Sequence, residues 1–237
     1  MERARFLARI RQGLSGVEAP PMPADFPVTP ASDDGRPPAV RFMEELRAVG
    51  GVVDLVSPGD LAGAVAAAAE MAEARTAVVG PDLGPFADRV AEGLRRAGVD
   101  ILEPAGPTGW RDASARVDLG VTGALLGVAS SGSILAAAGP ATSRLASLLP
   151  PAHLVILPAD RLVGGFEELF AALGDHLEGA SSAVLISGPS RTADIEMVLV
   201  RGVHGPRHVQ VLLVEEPRKT SQGKGRPAGR AGPSPTP

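Results

Sequence analysis

Short apolar runs of strand length alternate with amphipathic, helix-length segments through the middle of this 237-residue chain. Val40–Val49 reads as a helix, VVDLV from Val52 as a strand, and Asp60–Ala74 as an Ala-rich helix. AVVG from Ala77 reads as a strand, Phe86–Ala97 as a helix and Val99–Leu102 as a strand. Strands separated by whole helices cannot pair as hairpins. They pair in parallel, through crossovers that lay helices on the sheet. The expectation is an α/β fold, a mostly parallel sheet covered by helices. Apolar residues make up 44% of the chain but aromatic residues only 3%, so Ala, Val and Leu must fill the core and helices must pack closely on the sheet.

The centre departs from this rhythm. Leu119–Thr122, Leu126–Ala129 and Ile134–Ala137 look like consecutive short strands divided by Gly-containing turns. A helical turn over Ser143–Leu149 follows, then strand His153–Leu157, helix Gly165–Leu173, strand Ala183–Ser187 and a last strand, Val209–Val214. The 3.6-residue spacing of Ile195, Val198 and Leu199 predicts a further helix over Thr192–Arg201. Residues 1–14 form an amphipathic helix with Phe6, Leu7, Ile10 and Leu14 on one side, and residues 15–38 hold seven prolines and read as a linker. Such an arm docks on a neighbour or packs on its own domain. The chain thus divides into an N-terminal helix and linker (1–38), an α/β domain (39–215) and a basic tail (216–237) expected to be disordered.

The densest concentration of anion-binding groups is Ser187–Arg207, SGPSRTADIEMVLVRGVHGPR. A helix opening near Thr192 would leave backbone N–H groups unpaired beside Ser190, Arg191 and Thr192, a setting for a carboxylate or phosphate. The same residues equally suit a plain helix cap with Arg191 in water. Arg144 offers two parallel hydrogen bonds to a carboxylate, or a structural ion pair. His204 lies in a turn from which it could reach the same pocket, whereas His153, at the start of a strand, reads as a structural histidine. No Walker loop and no Gly-x-Gly-x-x-Gly run follows the early strands, and the two histidines lack a carboxylate at ligand spacing. A net charge of −4 argues against nucleic acid, and no apolar run is long enough to span a membrane, which points to a cytoplasmic protein. Without a single cysteine, the chain holds no disulfide, thiol nucleophile or thiolate-ligated iron–sulfur cluster.

SGPSRTADIE followed by LVRGVHGPR closely resembles the signature of the lactate utilization protein C (LutC/YkgG) group of LUD-domain proteins. A second segment agrees: GVTGALLGVASSGSILAAAGPATSRLASLLPPAHLVIL, Gly120–Leu157, is similar to that family's VTGA strand, Gly-Ser/Thr turn and R-x-x-S-L-L-P element. The resemblance spans about residues 1–215 and implies a NagB/RpiA/CoA-transferase-like fold with an N-terminal helical arm. It also implies a cluster-free subunit of an L-lactate oxidation system, whose LutA-like and LutB-like partners carry the iron–sulfur clusters. The expected ligand site places Arg144, Ser190, Arg191 and Thr192 around a small carboxylate, with Ser130, Gly132, Asp194, Glu196 and His204 in the same neighbourhood. One departure matters: Ser130 stands where the family shows an acidic residue and where related CoA transferases place a nucleophilic glutamate. A serine with no neighbouring base is a poor nucleophile, so glutamyl-type transfer is not expected. The alternative is a free-standing metabolite-binding protein or transferase on the same scaffold.

Overall fold

The computed structural model describes residues 3–18, 35–106, 109–139, 144–177, 180–193, 199–201 and 204–215. The chain separates into two compact units, residues 1–30 and 31–237. The first contains helix α1 (Arg3–Gly13), which carries Phe6 and Ile10 four residues apart.

The second unit opens with α2 (Pro38–Ala48), where a proline at the first helical position needs no intrahelical N–H partner. There follow β1 (Val52–Val56), α3 (Leu61–Met71), β2 (Thr76–Val79), α4 (Ala87–Arg96) and β3 (Asp100–Ile101). Then come α5 (Trp110–Ser114), β4 (Leu119–Gly123), β5 (Leu126–Val128) and β6 (Ser133–Ala138). The chain continues through β7 (Ala152–Pro158), β8 (Leu162–Val163), α6 (Phe166–His176) and β9 (Ser182–Ile186) to β10 (Arg191–Ala193), β11 (Leu199–Arg201) and β12 (His208–Val214).

Six strands form the expected parallel sheet, in the order β1-β12-β7-β4-β2-β3. Its central strands are buried on both faces, which is why they read as unbroken apolar runs. Leu154 and Ile156 of β7 and Leu212 of β12 join Leu61 and Val65 of α3 and Leu94 of α4 on one side. Val155, Leu157, Val211 and Leu213 face the other way, against Phe42 and Leu46 of α2 and Ile134 of β6. The small-residue core is most evident in α3, whose Ala68 and Ala69 are buried.

Of the three central short strands, β4 joins the parallel sheet, whereas β5 and β6 enter a second sheet, ordered β8-β5-β6-β9, with β6 antiparallel to both β5 and β9 and β8 parallel to β5. Leu126, Val128 and Leu135 on its outer face pack with Leu169 of α6.

The helix expected over Thr192–Arg201 does not form at its ends. Residues 191–193 and 199–201 are instead the antiparallel strands β10 and β11, in register Arg191↔Arg201, Thr192↔Val200 and Ala193↔Leu199. A ten-residue window cannot separate one helical stripe from two short strands. The register pairs Thr192 with Val200, β-branched residue types that favour strands. Residues 194–198, and with them Asp194 and Glu196, lie outside the described residues, as does the tail from 216 onward.

A basic cleft and a carboxylate-lined crevice: the candidate functional sites

The loops entering β7 and β12 are tied together at the amino ends of those strands. The backbone N–H groups of Arg207 and His208 both donate to the Pro151 carbonyl, at 2.8 and 3.3 Å. The Ser190 N–H donates to the Pro206 carbonyl at 2.9 Å, and a Cβ at Gly205 would come within 3.3 Å of the Ser190 Cβ. A 3-10 turn, Arg144–Ser147, closes the third side, held by the Ser147 hydroxyl donating to the Arg144 carbonyl at 2.9 Å. That turn sits directly on β4 at Gly120, where any Cβ would run into the Ala146 carbonyl. The result is an open cleft of about 470 Å³ lined by Arg144, Leu148, Leu149, His204 and Arg207. Among the described residues its lining includes no Asp or Glu, so two guanidinium groups and an imidazole face an apolar floor. This is a setting for a small carboxylate with a short carbon skeleton.

The structure therefore divides the residues that the sequence grouped. Arg144 and His204 share the cleft, and Ser190 lies beside it. Arg191 turns elsewhere: its guanidinium donates to the carbonyl of Val49, the residue that caps α2. A cation at a helix carboxyl end offsets the negative end of the helix dipole, so Arg191 serves as a helix cap. Ser130 and Gly132 occupy the β5–β6 turn, where the Ser130 N–H donates to the Gly164 carbonyl at 3.1 Å and Gly132 packs on the backbone of Leu46 in the last turn of α2. Beside them a hydroxyl chain runs from Ser131 to Ser133 (2.8 Å) and on to Ser187 (2.7 Å). Thr192 is in β10. Arg191 and Gly132 thus lie at the carboxyl end of α2, the electronegative end of the helix and the wrong polarity for an anion.

His153, the second residue of β7, is buried, and its Nε2 sits 2.9 Å from the Thr122 hydroxyl. Burial disfavours the imidazolium and lowers its pKa from 6.5 to about 4, so the ring is neutral at physiological pH. It adjoins a void of about 60 Å³ that His208 and Gln210 also line.

A second opening lies at the opposite end of the sheet, and the sequence reading missed it. The chain leaves β2 toward β3, at one edge, but leaves β4 toward β7, in the other direction. The gap between these exits is a topological switch point, where open α/β sheets leave a crevice. Asp82 follows β2 there, and its backbone carbonyl packs on Gly123 at the end of β4 with no room for a Cβ. Asp82, Phe86, Pro158, Asp160, Arg161 and Glu215 line a cavity of about 510 Å³. Burial raises the Asp82 pKa above the usual carboxylate range, against backbone N–H donation from Gly123 and Asp82 and the charge of Arg161. Its Oδ1 is buried and accepts no hydrogen bond from the described residues. Arg161 also donates to the Ala124 carbonyl at 3.0 Å. The available signal was Gly80-Pro81-Asp82, a turn that puts an acid just beyond a strand's carboxyl end.

The profile of the LUD domain matches residues 39–214. The chain belongs to the LUD domain family. A lactate utilization protein C from Exiguobacterium sp. is 38% identical over 121 residues, which is 49% of this chain and 53% of that protein. One from Halalkalibacterium halodurans is 35% identical over 129 residues, covering 52% and 55%. The chain thus spans about half the length of these curated relatives. A lactate utilization protein C from Deinococcus radiodurans is 27% identical over 217 residues, 90% of this chain and 95% of that protein. In fold, this LUD domain is similar to the crystal structure of a DUF162 family protein from Deinococcus radiodurans, with a TM-score of 0.53 and 22% identity over 75% of this chain and 96% of that one. Among the described residues no helix is long and apolar enough to cross a membrane.

Proposed function

We propose that this LUD-domain chain works in lactate utilisation as the cluster-free component of an L-lactate oxidation system, holding a small carboxylate in the Arg144–His204–Arg207 cleft. The observation that carries this reading is the cleft itself: two arginines and a histidine converge over Leu148 and Leu149, in a space of about 470 Å³. A two- or three-carbon hydroxy acid presents what that lining complements, a carboxylate for a bidentate guanidinium and a small apolar remainder. The name lactate utilization protein C borne by the relatives supports the choice of ligand. Lacking cysteine, the chain depends on LutA-like and LutB-like iron–sulfur proteins in the cytoplasm to carry the two electrons released when lactate becomes pyruvate. Its own part is to bind and orient the acid.

The test is L-lactate-dependent dye reduction in extracts of a strain lacking this gene, with and without purified protein. Restored reduction on addition supports the subunit reading. Equal reduction without the protein overturns it.

A further inference from the structure

We propose that the crevice beyond the carboxyl ends of β2, β7 and β12 is a second small-molecule site, separate from the basic cleft, and that it takes an uncharged, hydroxyl-bearing metabolite contacted by Asp82 and Arg161. Its volume, about 510 Å³, lies in the range of roughly 300–1,000 Å³ found for small-molecule pockets. It occupies the switch point of the sheet, with walls from three different strand exits, so its shape is set by the core.

The lining selects the ligand class. Among the described residues, Asp82, Asp160 and Glu215 bring three carboxyl groups against one guanidinium, that of Arg161, a balance that repels a carboxylate. A simple cation meets Arg161 on entry. A hydroxyl group suits both signs, because it donates to a carboxylate and accepts from a guanidinium. Asp82 strengthens the case: desolvation holds its carboxyl toward the neutral form, and one of its oxygens has no hydrogen-bond donor among the described residues. A protonated or ionised Asp82 is satisfied equally well by an alcohol. Phe86, Pro158 and Val214 supply an apolar wall for the carbon face of a polyol.

Saturation-transfer NMR on the full chain tests this with D-ribose and erythritol as neutral probes, and choline and citrate as charged contrasts. The expected result is transfer to a neutral probe and not to citrate. Arg161→Gln, and independently Glu215→Leu at the exposed rim, should each weaken it by about tenfold, the worth of one hydrogen bond to a charged group. Arg144→Ala should leave it unchanged. A signal from choline or citrate alone, no signal from either neutral probe, or equal signals in wild type and both crevice variants overturns the proposal. L-lactate binding is scored separately on the same samples, so loss of one ligand does not stand for loss of the other.

Discussion

At the amino ends of β7 and β12 the loops converge on Arg144, His204 and Arg207, whereas at the carboxyl end of the same sheet they converge on Asp82, Asp160 and Glu215. Both openings depend on one strand. β4 contributes Gly120 near its start, on which the Arg144 turn rests, and Gly123 at its end, on which the Asp82 loop rests. The two sites are thus built by the same device, a backbone carbonyl laid on a strand with no side chain between. They differ in the charges the loops carry. Site chemistry here is a property of loop residues, and site position a property of the sheet.

The comparison is broken most severely at β4. Gly120→Val places a branched side chain into the Ala146 carbonyl, and we expect about 4 kcal/mol of lost stability or no folded protein, read from urea unfolding. Gly123→Ala should cost less, about 2 kcal/mol, because it adds a single methyl whose clash, with the Asp82 carbonyl, is milder than that at Gly120; its signature is a change confined to the crevice, read from amide shifts in NMR spectra.

The sheet between the sites carries its own pH dependence. The His153 pKa is lowered on folding, so the unfolded chain takes up a proton first as pH falls. Its contribution is fully present above about pH 6.5 and is lost as pH falls toward 4, a difference of about 3 kcal/mol. The urea midpoint should therefore drop across that window, and less steeply in His153→Gln. The smallest effect distinguishes two arginines. Arg191→Ala should cost about 1 kcal/mol through the lost cap on α2 while leaving L-lactate affinity unchanged, measured by thermal unfolding and calorimetry on the same variant.

Most of the parallel sheet was legible in the sequence, because strands buried on both faces must be continuously apolar and the helices between them must show a stripe. AVVG and the run from His153 to Leu157 became interior strands of the parallel sheet, and VVDLV its edge strand β1. The four-stranded second sheet was not legible as such: β8 is two residues long, and its pairing with β5 spans a separation that no local pattern records. The helix expected at Thr192–Arg201 gave way at its ends to the pairing of residues 191–193 with 199–201, a contact across the sequence that helical spacing does not record. Of the candidate site residues, Arg144 and His204 line one cleft, whereas Arg191, grouped with them from the sequence, caps a helix 142 residues earlier. Asp82 escaped notice because its setting, a desolvated carboxyl at a switch point, exists only once β2 and β4 are adjacent.

Calorimetric titration of L-lactate into the full chain and into Arg144→Ala, with circular dichroism to confirm the fold, tests the central claim most directly. The account predicts saturable one-to-one binding in the wild type and about tenfold weaker binding in Arg144→Ala, with an unchanged spectrum. Equal affinity in the two folded proteins would contradict it and remove the basic cleft as the lactate site.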